Sequence, residues 1–209
     1  MSAMARDAAE ARSREATRWI TACAMTGVAT SMWSASSTSQ LTSPVSSTYE
    51  GVRSRRPHRP GGPPALLVTG AGPIGLLAAL LGVQRELEAH VLDRVARGPK
   101  VDRELELGAS YHEVLDPACM DADIVIECTG AGQLVIDVMR TSSPNGVVCL
   151  TGISSGHREI GVDAGALSRS LVLENAVVFG SVNANLRHYA AAARALEAAD
   201  PRWLESRAA

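Results

Sequence analysis

The segment 68–75 contains three glycines in the pattern G-x-G-x-x-G, and this pattern constrains the fold of the chain more than any other feature. A short apolar run, Ala65–Thr69, precedes the glycines and suits a buried strand, and the leucine- and alanine-rich run after them suits a helix. In a strand–turn–helix, Gly70 permits the tight turn, Gly72 lets the backbone approach a pyrophosphate, and Gly75 lets the helix pack against the strand. The N–H groups at the start of the helix favour phosphate binding. The segment therefore predicts a dinucleotide site, and the alternative is a glycine turn that binds no ligand.

Beyond this loop, short apolar segments alternate with helical segments, which predicts a parallel sheet with helices on both faces. The predicted strands are Ala65–Thr69, Ala89–Asp93, Tyr111–Val114, Asp123–Cys128, Gly146–Leu150 and Ala176–Gly180. The predicted helices are Pro73–Leu87, Lys100–Leu107, Leu134–Thr141 and Leu186–Ala199, with Gly108 and Asn185 as caps. Six strands in this rhythm suit an α/β, doubly wound Rossmann fold with strand order 3-2-1-4-5-6.

Residues 1–60 differ in composition from the rest of the chain, because Ser, Thr, Ala and Arg dominate and a basic Pro- and Gly-rich stretch follows at 53–64. We expect a mostly unstructured segment over 1–60 and an NAD(P)-binding Rossmann domain over 61–209. The run 19–33 resembles a signal peptide, but Thr, Ser and Gly dilute it and acidic residues precede it. No stretch reaches the roughly 18 apolar residues that a membrane-spanning helix needs.

Charge and cysteine content exclude other classes of function. The formal net charge is −2, and the excess of acidic residues lies after residue 60, so we expect no nucleic-acid partner. The four cysteines show no spacing typical of a metal site, which predicts no bound metal and favours buried, reduced thiols in a cytoplasmic protein. They are Cys23, Cys119, Cys128 and Cys149.

Asp93 ends the second predicted strand, 18 residues after Gly75. The dinucleotide fold places an acidic residue there to bind the ribose 2′-hydroxyl of NAD. Arg94 complicates the prediction, because an arginine beside that acid can stack on adenine or contact the 2′-phosphate of NADP. We favour NAD and leave use of both cofactors open. The alternative for Asp93 is a solvated residue at the end of a strand.

Ligands in this fold bind beyond the carboxyl ends of the strands, so the residues after later strands are further candidates. They are Thr129 and Gly130 after the fourth strand, Thr151 and Gly152 after the fifth, and Asn183 after the sixth. The same residue types are common in turns, which is the alternative interpretation. Glu127 and Cys128 are assigned to strand packing or to the exit turn of the fourth strand.

The sequence excludes one class of reaction. A short-chain dehydrogenase needs a Tyr four residues before a Lys, and the single lysine, Lys100, has Ala96 at that position, so short-chain dehydrogenase chemistry is excluded. A methyltransferase that uses S-adenosylmethionine shares the layered fold and remains an alternative, although Pro73 and Ile74 between the last two glycines favour the dinucleotide form.

Several motifs taken together resemble the cofactor domain of medium-chain, zinc-dependent glucose 1-dehydrogenases. They are Val68–Leu81, Asp93-Arg94, Gly98–Lys100, Leu107–Ala109, Ile126–Gly130, Pro144–Gly152, Leu173–Asn175 and Val178–Asn183. The resemblance implies hydride transfer from the C1 hydroxyl of an aldose to NAD or NADP. It further implies that Gly70, Gly72, Pro73, Ile74 and Gly75 hold the pyrophosphate and that Asp93 and Arg94 contact the adenosine ribose. Thr129, Thr151 and Asn183 would line the ribose and nicotinamide end.

Family members carry a catalytic domain before this one, and that domain supplies zinc ligands of Cys, His and Glu type. Residues 1–60 contain only Cys23 and His58 of the Cys and His type, so zinc is expected for the family and its ligands are not expected here. We therefore expect an NAD(P)-binding half that does not oxidise glucose unaided. The resemblance also implies self-association through the last strand, Ala176–Gly180, and aggregation through an uncovered edge is the alternative. The alternative function is a stand-alone NAD(P)-binding module without catalysis. Reading the DNA upstream of Ala65 in all three frames for a zinc-ligand pattern separates the two.

Asp93→Asn should weaken NAD binding more than NADP binding, because the carboxylate is the predicted acceptor for the ribose hydroxyl. Calorimetric titration of the wild-type and variant chains with each cofactor measures the difference. An unchanged NAD affinity would overturn the ribose assignment.

Overall fold

A six-stranded, fully parallel sheet forms the centre of the computed structural model, which describes residues 63–117, 119, 121–154 and 159–205. The strand order is β3-β2-β1-β4-β5-β6, which confirms the predicted doubly wound order. The strands are β1 (Ala65–Thr69), β2 (Glu88–Leu92), β3 (Ser110–His112), β4 (Ile124–Glu127), β5 (Val147–Leu150) and β6 (Val177–Gly180). The segment 1–60 of the sequence prediction lies outside the described residues.

Six helices accompany the sheet in the described part of the chain. They are α1 (Pro73–Val83), α2 (Pro99–Glu106), α3 (Gly132–Thr141), α4 (Ala164–Leu173), α5 (Leu186–Glu197) and α6 (Pro201–Glu205). Asn185 caps α5 as predicted, because its side chain accepts hydrogen bonds from the N–H groups of Arg187 and His188. Within the described ranges, no helix combines the length and the apolar character needed to cross a membrane.

Different helices bury the two faces of the sheet, and β1 contributes side chains to both faces. Leu66 and Val68 point to one side, where Ala78 and Ala79 of α1 cover them. The alternate residues of β1, such as Leu67, belong to a second core that includes Val138 of α3. Every residue of β1 is therefore buried, as expected for a central strand of a parallel sheet.

A third apolar cluster joins α1 to the end of the chain. Leu77 and Leu81 of α1 pack with Ala192 of α5 and Trp203 of α6. The indole N–H of Trp203 also donates to the backbone carbonyl oxygen of Arg103, at 3.1 Å. α5 and α6 therefore pack against the side of α1 that faces away from β1.

Several boundaries and two helices differ from the sequence prediction. β2 ends at Leu92 and not at Asp93, and β3 ends at His112 and not at Val114. The helix predicted to reach Leu87 ends at Val83, because Glu86 adopts a left-handed φ of 59° and the N–H of Leu87 returns to the carbonyl of Gly82. The helices α4 and α6 were not predicted. No residue of α4 is buried, so its sequence has no regular apolar stripe to indicate a helix, and α6 has only five residues.

Gly75→Ala should destabilise the fold, because a Cβ on Gly75 would lie 1.7 Å from the carbonyl oxygen of Gly70. We expect a loss of about 1–3 kcal/mol in the free energy of unfolding, measured by urea denaturation. The matched control is Gly165→Ala in α4, where the nearest atom to the new Cβ is 3.5 Å away. This control should gain about 0.5–1 kcal/mol from helix propensity. Equal stability of the Gly75 variant and the wild type would contradict the packing described here.

Candidate dinucleotide site

The glycine loop after β1 has the geometry that an anion site requires. Gly70 adopts a φ of +92°, and its N–H donates to the carbonyl oxygen of Leu92 at 2.7 Å, which fixes the loop against β2. A Cβ on Gly72 would meet no atom within 4 Å. Gly72 is also the N-cap of α1 and offers no side-chain acceptor, and the first turn contains no acidic residue. The start of α1 therefore presents N–H groups and a positive dipole end to the space beside Gly72.

Asp93 ties this loop to the end of β2. Its Oδ2 accepts a hydrogen bond of 2.7 Å from the N–H of Ala71, and its Oδ1 accepts one of 3.3 Å from the N–H of Val95. The ammonium nitrogen of Lys100 lies 4.0 Å from Oδ2, and 17% of the Asp93 side chain is exposed. The acid thus lies at the predicted position, with part of its hydrogen-bonding capacity engaged by the loop.

The side chain of Glu127, at the end of β4, is fully buried among hydrogen-bond donors. Its Oε1 accepts hydrogen bonds from the N–H of Thr129 at 2.7 Å and from the hydroxyl of Thr69 at 3.3 Å. The hydroxyl of Thr129 also hydrogen-bonds to this oxygen. Both carboxylate oxygens accept from the N–H of Gly130, at 3.0 and 3.1 Å. One carboxylate therefore joins the end of β1 to the exit turn of β4.

The backbone carbonyl of Glu127 makes a second set of bonds, to the end of β5. It accepts from the N–H groups of Thr151 and Gly152, at 2.8 and 2.9 Å, and from the Thr151 hydroxyl at 2.8 Å. Gly152 packs so closely that a Cβ there would lie 2.2 Å from the nitrogen of Gly130. The turns after β4 and β5 therefore form one packed unit, and the exit-turn role predicted for Glu127 is confirmed.

The surroundings of the thiols near the site favour their protonated form. The pKa of Cys128 is raised to about 12, chiefly by burial; a hydrogen bond from Thr151 opposes the shift, and the neighbouring charge of Glu127 contributes to it. Burial also raises the pKa of Cys149 to about 12. Cys119, Cys128 and Cys149 are free thiols, and at neutral pH Cys128 and Cys149 remain protonated.

Two cavities lie beyond the carboxyl ends of the strands. The first has a volume of about 540 Å³ and is lined by Asp93, Arg94 and Thr129 together with the apolar side chains of Val114, Leu115 and Leu134. The second, also about 540 Å³, is lined by Arg94, Ala131 and Gly132 with Ser154, Glu159 and Gly161. Arg94 borders both cavities. An apolar cavity beside an acid and an arginine suits an adenosine group.

The structure brings some predicted residues together and leaves others apart. Asp93, Arg94 and Thr129 line one cavity. The hydroxyl of Thr151 is bound to the backbone, and Asn183 is exposed and lines neither cavity. The sequence analysis missed the apolar wall formed by Val114, Leu115 and Leu134. Ligands in this fold bind beyond the carboxyl ends of the strands. Applied to β3, as it was to β4 and β5, this rule would have found Val114 and Leu115.

Comparison with known proteins identifies relatives of the chain. A family model described as "Glucose dehydrogenase C-terminus" matches residues 37–207. Glucose 1-dehydrogenase of Halobacterium salinarum is 38% identical over 152 residues, which cover 68% of this chain and 42% of that protein. Glucose 1-dehydrogenase of Thermoproteus tenax is 37% identical over 161 residues, covering 71% of this chain and 44% of that protein.

A solved structure is similar in both sequence and fold. Haloferax mediterranei glucose dehydrogenase in complex with NADP, Zn and gluconolactone is 31% identical, with a TM-score of 0.62, covering 77% of this chain and 47% of that one. The chain therefore spans less than half of the length of the relatives it matches.

Glu127→Gln should destabilise the turns around the site, because the substitution places an NH₂ group where an acceptor oxygen now faces N–H and O–H donors. We expect a loss of about 1–3 kcal/mol in the free energy of unfolding and weaker binding of NAD(P). Urea denaturation and cofactor titration measure the two effects. Glu197→Gln, at the exposed end of α5, is the control and should change neither. A Glu127 variant as stable as the control would contradict the role given to this carboxylate.

Proposed function

Because the chain belongs to the glucose dehydrogenase C-terminus family, we propose that it is the NAD(P)-binding half of an oxidoreductase. The reaction would transfer hydride from the C1 hydroxyl of an aldose to NAD(P). The observation that carries the proposal is the space beside Gly72, at the N-terminus of α1 and next to the Asp93 carboxylate. A pyrophosphate would lie in this space, and an adenosine ribose placed beside it would reach Asp93.

The pyrophosphate would be held by the glycine loop and the first turn of α1. The backbone of Gly70, Gly72 and Gly75, with Pro73 and Ile74 between them, supports this role, because no side chain of the loop fills the space. Gly75 contributes indirectly. Its lack of a Cβ lets α1 approach the Gly70 carbonyl, so the N–H groups of the helix start point toward the ligand.

Asp93 and Arg94 would bind the adenosine ribose, and we propose that NAD is favoured while NADP is also accepted. A carboxylate accepts hydrogen bonds from ribose hydroxyls and repels a 2′-phosphate. Lys100, 4.0 Å from Asp93, and the exposed Arg94 at the edge of both cavities reduce that repulsion. The NADP in the Haloferax mediterranei complex supports use of the phosphorylated cofactor in the family.

The turns after β4, β5 and β6 would position the ribose and nicotinamide end. The residues proposed for this role are Thr129, Gly130, Thr151, Gly152 and Asn183. Thr151 and Gly152 would act through the backbone, because the Thr151 hydroxyl is bound to Glu127. When bound, the cofactor supplies a nicotinamide ring that accepts hydride, and the residues of this chain would hold and orient that ring.

The described residues do not fit a zinc such as the one in the Haloferax mediterranei complex with NADP, Zn and gluconolactone. The described cluster of metal-ligating side chains, His112 with Asp116 and Cys119, lies at the end of β3. The nicotinamide end lies near β5, four strands away in the sheet order. With a spacing of about 4.8 Å between strands, this separation is roughly 19 Å. We therefore propose that this chain binds NAD(P) and does not oxidise an aldose unaided. The alternative function, a stand-alone NAD(P)-binding module, also predicts cofactor binding without oxidation of an aldose.

Two further proposals concern the surroundings of the protein. β6 forms one edge of the sheet, and Val177 and Val182 are exposed there, which supports pairing of this edge with a second copy. A monomeric mass in analytical ultracentrifugation at micromolar concentration would exclude this pairing.

The free thiols of Cys119, Cys128 and Cys149 support a reducing compartment such as the cytoplasm.

Gly72→Val tests cofactor binding without disturbing the core, because the new side chain enters open space at an extended backbone position with φ −80°. We expect at least a tenfold loss of NAD and NADP affinity, roughly 1.4 kcal/mol, with the free energy of unfolding unchanged. Calorimetric titration measures the affinity, and Gly165→Ala is the control that should keep it.

Retained cofactor affinity in a folded Gly72→Val chain would overturn the pyrophosphate assignment. The same preparations, supplied with glucose, cofactor and zinc, test the second half of the proposal. Zinc-dependent reduction of the cofactor by the wild-type chain would show that it is catalytically complete.

A further inference from the structure

We propose that His112, Asp116 and Cys119 form a binding site for a zinc-type divalent cation, separate from the dinucleotide site. One ligand atom from each of these side chains lies within 4.8 Å of the other two. An imidazole nitrogen, a carboxylate oxygen and a thiolate sulfur are ligands that Zn²⁺ accepts together. The set does not suit Mg²⁺ or Ca²⁺, which take oxygen ligands.

The three side chains are brought together by a tight turn after β3. His112 is the last residue of β3, and Asp116 follows four residues later with its Oδ2 3.1 Å from Nδ1 of His112. Asp116 also accepts from the N–H of Cys119, through its backbone oxygen at 3.2 Å and through Oδ1 at 3.3 Å. The turn thus fixes Cys119 beside the other two residues.

The distances are close to those of a bound metal. Tetrahedral Zn²⁺, with bonds of about 2.0–2.3 Å, holds its ligand atoms roughly 3.2–3.6 Å apart. The separation of His112 Nδ1 and Asp116 Oδ2, 3.1 Å, lies just below this range. Cys119 Sγ, within 4.8 Å of both atoms, would move by up to about 1.6 Å to reach this spacing.

His90 lies behind His112 and occupies its second ring nitrogen. Nε2 of His112 lies 3.0 Å from Nδ1 of His90, so Nδ1 of His112 is the ring nitrogen that faces the Asp116 carboxylate. Metal-binding histidines commonly have such a partner on the second ring nitrogen.

A divalent cation bound between Nδ1 of His112 and the Asp116 carboxylate would replace the hydrogen bond between them, and Cys119 Sγ lies within 4.8 Å of both as a third ligand. Asp116 retains 38% exposure of its side chain, so an ion can enter from solvent and complete its coordination with water.

The site is also placed to affect the rest of the molecule. Val114 and Leu115, in the same turn, line the cavity beside Asp93. A cation bound by His112, Asp116 and Cys119 would fix both ends of this turn. The three metal-binding side chains and the spectroscopic signal of a bound cation do not involve NAD(P), so the cation site can be tested without the cofactor.

Titration of the chelator-treated 209-residue chain with Co²⁺ and then with Zn²⁺ tests the site. We expect one equivalent of Co²⁺ to produce thiolate-to-cobalt absorption in the near ultraviolet and the intense visible bands of a tetrahedral site. Zn²⁺ should displace the cobalt and remove both signals. Binding should also raise the unfolding temperature.

Variants identify the ligands. Cys119→Ser should remove the thiolate absorption, and Asp116→Asn should weaken Zn²⁺ binding more than about 100-fold. His90→Gln, behind the site, should weaken it by about 10- to 100-fold. The controls are Cys149→Ala in β5 and His188→Gln, which preserves the capping box of α5. Both controls should bind as the wild type does.

Circular dichroism establishes that each variant is folded, and Asp116→Asn remains informative if the buried Cys119 does not tolerate substitution. Absence of a stoichiometric Co²⁺ complex would overturn the proposal. So would a cobalt spectrum without thiolate absorption, or binding that survives both Cys119→Ser and Asp116→Asn in folded chains.

Discussion

The buried carboxylate of Glu127 is the interaction on which the ligand-binding edge of the sheet depends. Its side chain accepts from Thr69 at the end of β1 and from the turn after β4, and its backbone carbonyl accepts from the turn after β5. A buried carboxylate is costly unless donors surround it, and here the donors come from three neighbouring strand ends. These hydrogen bonds offset the cost of burying the charge, and they also fix the turns that are proposed to face the cofactor.

A second carboxylate, that of Asp93, connects this edge to the glycine loop. Its bond to the N–H of Ala71 positions the loop, and its remaining exposure leaves it accessible to a ribose. A structural role and the proposed ribose contact therefore fall on one side chain, so Asp93→Asn would affect the loop as well as the proposed contact. Gly72 differs in this respect, because none of the described residues occupies the space beside it. It is the better position for separating cofactor binding from folding.

The local patterns predicted the sheet well and the helices less well. The strand order and all six strands followed from apolar runs and glycine turns, since a parallel sheet buries its strands on both faces and leaves a strong signal in the sequence. α4 left no such signal, because none of its residues is buried. The end of α1 was misplaced because Leu87 continues the apolar pattern, whereas the left-handed turn at Glu86 already leads into β2. Of the predicted site residues, Asp93, Arg94 and Thr129 share a cavity, whereas Asn183 lies apart from it.

The sequence by itself determined the glycine loop and the position of Asp93, because both depend on local spacing along one strand–turn–helix unit. The alternation of strands and helices along the chain indicated the Rossmann order. Only the tertiary structure decided that Thr69 donates to Glu127 and how closely Gly152 approaches Gly130. It also decided that His90, on β2, lies behind His112, on β3. These contacts join residues on different strands, and their distances are set by the register of those strands. Spacing along one segment carries no information about that register.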